Sequence, residues 1–261
     1  VNVWTIRMTL GPSSTALAIA SLIATFPLII DAQSQNNEES SAKEKLKTLG
    51  ITIFTDKGTG SVTEVLGNGN NKVRDSHLKL ISNFKEITDL SLERTQITDA
   101  GIHYLSKLKK LEWLNLYETK VGNVGLEHIS KIKSLKLLPV GSTLITDQGL
   151  EHLTKMTQLE YLGLRNNPIT DHGLIHLKGL TNLKGLNLGE TKVTDNGVKD
   201  LSKLGSLEEL WLQETSVSDS STKEFEKLSK LRSLDLRNTQ FTDKGIEELR
   251  KGLPNCTIRF Q

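Results

Sequence analysis

Cysteine occurs once in this 261-residue chain, at Cys256. No disulfide can therefore close within it, and no set of thiolates can hold zinc within one chain. An excess of charge of one sign is missing too: 33 Lys+Arg stand against 31 Asp+Glu, for a net charge of +2. No bulk field steers such a chain toward nucleic acid. Catalytic signatures are absent: there is no GxSxG, HExxH, phosphate loop or GxGxxG. Carboxylate pairs such as Glu208-Glu209 and Glu247-Glu248 are adjacent in sequence, and nothing in the pattern places them around a cleft. The expectation is a protein without enzymatic activity and without a cofactor, held together by apolar burial and backbone hydrogen bonds.

A long membrane-spanning run is lacking as well. The most apolar stretch, Ala16 to Ile30, has 15 residues and contains Ser21, Thr25 and Pro27; a bilayer span wants roughly 20. Followed by polar sequence, it reads as the core of a cleavable signal peptide over residues 1–32, cut after Ala32, or as an uncleaved anchor. Either implies export to the periplasm, cell surface or medium, with membrane contact only through this segment. Residues 33–45, QSQNNEESSAKEK, are polar and aperiodic and read as a flexible spacer.

What the sequence has in abundance is repetition. Ile87, Leu111, Leu135, Leu159, Leu183, Leu207 and Leu231 each open a unit of 24 residues, without insertion, over residues 87–253. A fixed period of this size marks a solenoid. Residues 46–86 read as a degenerate N-terminal capping unit, because Val73-Arg74-Asp75 precedes Ile97-Thr98-Asp99 by one period. Residues 254–261 read as a closing strand. Inside a unit the periodicity switches. Leu162 and Leu164 alternate as in a strand with one buried face, while Leu174, Leu177 and Leu180 follow helical spacing after Asp171, which reads as a helix N-cap. Each unit is thus a strand, a turn and a short helix. One unit alone buries too little to offset its chain entropy, so the array should fold as one domain.

The pattern LxxLxLxxTxITDxGLxxL resembles the 24-residue leucine-rich repeat of secreted planctomycete-type bacterial proteins and is similar to the arrays of F-box leucine-rich proteins. The resemblance implies an α/β leucine-rich-repeat solenoid: a horseshoe with a parallel sheet on the concave face, short helices on the convex face, and a concave surface that usually binds protein. A signal-like segment, rather than a helical F-box-like one, precedes the repeats, which disfavours a ubiquitin-ligase role. Two departures, Gly122-Asn123 for Thr-Asp and Ser221 for the recurrent glycine, predict local looseness.

Side chains alternate across a strand, so the residues between the core leucines should face the concavity. Of the chain's three Trp and three Tyr, four fall in this set. Trp113, Leu137 and Tyr161 share one position in adjacent units and should form a stripe. Interface anchors are enriched in Trp, Tyr and Arg, which makes Trp113, Tyr117, Leu137, Tyr161, Arg165 and Trp211 the candidate partner-binding residues. The expected partner is a protein; no metal site is expected. Three ladders carry rival readings. Asp99, Asp147, Asp171, Asp195, Asp219 and Asp243 read as helix caps, with calcium sites as the alternative. Lys107, Lys131, Lys155, Lys203, Lys227 and Lys251 complement helix dipoles, or form a basic edge for polyanions of a cell wall. His128, His152 and His176 read as helix-packing residues rather than metal ligands. An intracellular adaptor remains the further alternative.

Overall fold

The structure is a computed structural model that describes residues 37–261. The segment read as a signal peptide or anchor lies outside the described residues. The expected spacer is where the first difference falls. Residues 37–48 form a helix, α1. Ala42 and Leu46, one turn apart, are buried in the end of the core. Gly50, at φ +83°, ends the helix: its N–H bonds the carbonyl of Lys47 while that of Ile51 bonds the carbonyl of Leu46, the paired closure that a left-handed residue permits. Polarity masked a two-residue apolar stripe that becomes meaningful only against the first repeat.

A hairpin follows, β1 (Thr52–Thr55) antiparallel to β2 (Val62–Leu66). From β2 onward every pairing is parallel, and one ten-stranded sheet runs β1 to β10 in chain order. Its members are β3 (Asp89–Ser91), β4 (Trp113–Asn115), β5 (Leu137–Pro139), β6 (Tyr161–Gly163), β7 (Gly185–Asn187), β8 (Glu209–Trp211), β9 (Ser233–Asp235) and β10 (Thr257–Arg259). Register repeats without slippage: Leu138 faces Leu162, which faces Leu186, then Leu210, then Leu234. The degenerate first unit joins at a different step, with Glu64 opposite Asp89, and β10 closes the other end with Thr257 opposite Ser233. Pro139 has no N–H to give, and the pairing of β4 with β5 shrinks to Trp113 opposite Leu137.

Behind the sheet stand α2 (Asp75–Ile81), α3 (Asp99–Ile102), α4 (Asn123–Ile129), α5 (Asp147–Leu150), α6 (Asp171–Leu174), α7 (Asp195–Leu201), α8 (Thr222–Phe225) and α9 (Asp243–Gly252). Several are prolonged by a tighter 3-10 turn, as at His103–Lys107 and Ile175–Leu177. Between sheet and helices runs a continuous aliphatic core: Leu159, Leu162, Leu164, Ile169, Leu174, Leu177 and Leu180 of one unit are all buried against their counterparts on either side. Each strand from β3 to β9 leaves the sheet through one non-glycine residue in the left-handed region. These are Arg94, Glu118, Ser142, Asn166, Glu190, Glu214 and Asn238, at φ between 51° and 59°. The N–H of each of the first six bonds a carbonyl of the next unit, as Asn166 does with Gly189, so the turn is set by the stack.

Candidate functional site

Trp113, Leu137, Tyr161 and Trp211 lie on strands and Tyr117 and Arg165 two residues beyond β4 and β6, all on the sheet face turned away from the core. Trp113, Tyr117, Tyr161 and Trp211 are half-buried and Leu137 and Arg165 are exposed. Trp113, Leu137 and Tyr161 do share one row, each opposite the next in the ladder. At about 4.8 Å between strands, they stand side by side. The row two residues further along is less open than alternation alone implies: Ser91, Asn115 and Asp235 are buried beneath their neighbours.

Glycines on this face decide how the rings lie. Gly141 is floor for the Tyr117 ring, 3.1 Å from where a β-carbon would stand. Gly163 and Gly185 floor Tyr161; a β-carbon on Gly185 would sit 2.8 Å from Tyr161 Cδ2 and 3.7 Å from Trp211 Cζ3. With that space open, the Tyr161 and Trp211 rings meet edge-on, centroids 6.2 Å apart and planes at 74°. Edge-to-face contact at this distance is favourable. Burial raises the pKa of the Tyr161 phenol; a hydrogen bond with Asn187 opposes that, and the charge of Glu209 adds to it. The sequence pattern assigned Trp211 to a different row from Tyr161. Their pairing appears only in the stacked sheet, where Gly185 leaves the space between them open.

Charge on this face is uneven. Glu64, Asp89, Glu93, Glu118, Glu190, Glu209, Glu214 and Asp235 face Arg94, Arg165, Arg237 and Arg259, and no lysine occupies the strand positions of this face. Three arginines are closely matched: Arg94 Nε to Glu118 at 2.7 Å, Arg165 Nε to Glu190 at 2.7 Å, and Arg237 to Asp235 at 2.6 Å, with Arg259 approaching Asp235 at 4.0 Å. Among the described residues Glu209 and Glu214 have no ion pair. Along one rim the residues just before the strands alternate in sign: Glu112, Lys136, Glu160, Lys184, Glu208, Arg232. Lys136 bonds Glu112 at 2.9 Å, Lys184 bonds Glu160 at 2.6 Å, and Arg232 approaches Glu208 at 3.9 Å. Opposite charges directly across a sheet are its natural neighbours.

The aspartate ladder is a correction. Thr98, Thr146, Thr170, Thr194, Ser218 and Thr242 occupy the N-caps, and each aspartate is the first residue of its own helix. Most of the aspartates reach forward to the next unit's cap: Asp147 Oδ1 accepts the Thr170 N–H at 2.8 Å and Oδ2 its hydroxyl at 2.6 Å. Both oxygens of such a carboxylate are engaged, and among the described residues no cluster of metal-ligating groups forms. Neither departure from the motif is loose. Asn123 accepts the Thr146 N–H and donates to its hydroxyl, both at 2.9 Å, and buried Ser221 donates to Asp195.

On the convex side Lys131, Lys203 and Lys227 pair with Glu127, Asp200 and Glu224 of their own helices. His128, His152 and His176 are half-buried; the ring nearest His128 is His103, centroids 6.1 Å apart. Burial pushes the Cys256 thiol up to about 11, which leaves little thiolate near neutral pH.

A family profile described as "Leucine Rich repeat" matches residues 179–202 and 227–249. Two solved structures extend the likeness over most of the array. An internalin (inlF) from Listeria monocytogenes is 26% identical with a TM-score of 0.58, over 69% of this chain and 49% of its own. The chain is a leucine-rich-repeat solenoid. Internalin C2 from the same organism matches it at 26% identity and a TM-score of 0.64, over 77% of this chain and 81% of its own. The solenoid thus spans about half the length of the first of these structures. No curated protein matches it by sequence. Among the described residues no helix is long and apolar enough to cross a membrane.

Proposed function

We propose that this protein is an exported, non-enzymatic scaffold that binds a protein partner through its concave face, with Trp113, Tyr117, Leu137, Tyr161, Arg165 and Trp211 as the anchors. Leucine-rich-repeat proteins generally bind protein partners. One observation carries the assignment to this face: four aromatic rings and a leucine lie outside the core on one side of the sheet, and Tyr117, Tyr161 and Trp211 are seated over glycines. Large rings with few rotatable bonds lose little entropy on binding, which is why they serve as anchors. Export rests on the apolar run from Ala16 to Ile30 alone. Polyanion binding through the lysine edge has less support, because several of those lysines are matched by carboxylates on their own helices.

The test is capture from an envelope extract of the source organism, using the full chain and its Trp113→Ala/Tyr161→Ala double variant, both first verified as folded by circular dichroism. A prey retained by the parent and lost by the variant supports the concave anchors and names the partner. Preys held equally by both overturn the assignment.

A further inference from the structure

We propose that the corner formed by Tyr161, Trp211 and Glu209 receives a basic side chain of the bound protein, an arginine in preference to a lysine. The inference rests on the concave-face reading and specifies its chemistry.

The geometry of the corner comes first. Tyr161 leans across Gly185 until its ring meets that of Trp211 edge-on, and both side chains remain half-buried rather than enclosed. Glu209 lies two residues before Trp211 on β8 and so shares its face; it is exposed. It stands in the same row as Tyr161, with Gly185 between them, and its charge acts on the Tyr161 phenol.

The balance of charge comes second. Arg94, Arg165 and Arg237 each already hold a carboxylate, whereas Glu209 has neither an ion pair nor a side-chain hydrogen bond among the described residues. An unmatched anion beside two aromatic faces attracts a cation twice over, through the carboxylate and through the ring quadrupoles. No lysine stands at the concave positions, and Arg94, Arg165 and Arg237 there are engaged with carboxylates. Guanidinium fits better than ammonium, because it is planar, weakly hydrated and able to stack on a ring while forking onto a carboxylate. An acidic segment would meet Glu209 with no paired cation beside it.

The experiment uses the full chain labelled with fluorotryptophan, with Trp211→Phe assigning the Trp211 fluorine line. The probe is a pentapeptide carrying one arginine between glycines and serines; its control carries citrulline, which keeps the shape and removes the charge. We expect the arginine peptide to shift the Trp211 line saturably and the citrulline peptide to bind about tenfold more weakly, as a cation–π contact plus a charged hydrogen bond implies. Glu209→Gln should reduce arginine binding to the citrulline level. That side chain is exposed and without a partner, so the variant should keep the parent's Tm; Asp89→Asn, remote on the same face, should leave binding unchanged. Equal binding of the two peptides, or full binding by a folded Glu209→Gln, would overturn the inference. Loss of prey in the Trp113→Ala/Tyr161→Ala capture together with unchanged arginine binding in Glu209→Gln refutes this corner and not the face. Capture insensitive to that double variant refutes the face, whatever the peptide does.

Discussion

Asp171 grips Thr194 of the following repeat with both carboxylate oxygens, Oδ1 accepting the backbone N–H at 2.8 Å and Oδ2 the hydroxyl at 2.6 Å. The same clasp joins Asp75 to Thr98, Asp147 to Thr170, Asp195 to Ser218 and Asp219 to Thr242. A solenoid is stable only through contacts between neighbours, and here the start of one helix is tied to the start of the next.

Removing the clasp should cost more than altering its charge. Asp171→Ala strands the half-buried Thr194 N–H and hydroxyl, for an expected loss of about 1–3 kcal/mol. Asp171→Asn should lose much less, because Asn123 already performs this task toward Thr146. Urea denaturation followed by circular dichroism separates the two. Equal losses would mean that charge, rather than the paired hydrogen bonds, matters.

The recurrent glycine is room for that clasp. A β-carbon on Gly197 would lie 2.5 Å from Asp171 Oδ1 and 2.8 Å from Leu174 Cδ1. Helix propensity alone favours alanine over glycine by about 1 kcal/mol, yet Gly197→Ala should destabilise. In a double-mutant cycle with Asp171→Ala the cost should shrink, since the carboxylate is gone. A stabilised Gly197→Ala protein would refute this account.

Alternation of charge along the rim should appear as salt dependence. Lys184→Glu places a third carboxylate between Glu160 and Glu208, where Lys184 now bonds Glu160 at 2.6 Å. Tm should fall at low ionic strength and recover as salt is added, while Lys184→Gln should change it little. A Lys184→Glu loss that salt does not relieve would argue for packing instead.

Asp235 gives a pH test. Burial pushes its carboxyl up, but hydrogen bonds and charge from Arg237, with Arg259 behind, more than offset this and hold it below the usual range. A carboxyl depressed in the folded state stabilises above its unfolded pKa of about 4 and loses that contribution as pH falls through the folded value. Arg237→Gln removes the guanidinium and leaves burial opposed only by the backbone N–H of residue 237 and by Arg259, so acid unfolding should begin at higher pH. An unchanged acid midpoint in that variant would show that the pair does not govern acid stability.

Much of this was legible beforehand because the repeat is strict. A 24-residue step with LxxLxL inside it fixes which residues face the core, and the register from Leu138 to Leu234 follows. The placement of Trp113, Leu137 and Tyr161 in one row needed nothing more. The clasp escaped because a carboxylate at a helix start has two uses, capping its own helix or bonding a neighbour, and the repeat pattern is the same for both. The looseness expected at Asn123 and Ser221 failed for a related reason: an amide or a hydroxyl can satisfy the same partners when another unit presents them.

By itself the amino-acid sequence determined the period, the strand-turn-helix unit, the buried aliphatic face and the side on which the aromatic residues stand. These follow from local chain geometry, which depends only on spacing. Tertiary structure alone decided that residues 37–48 become a helix capping the core, that the aspartates bond forward, and that Tyr161 and Trp211 meet across Gly185. Each of these depends on what an adjacent unit places within a few ångströms, and that distance exists only once the units have stacked.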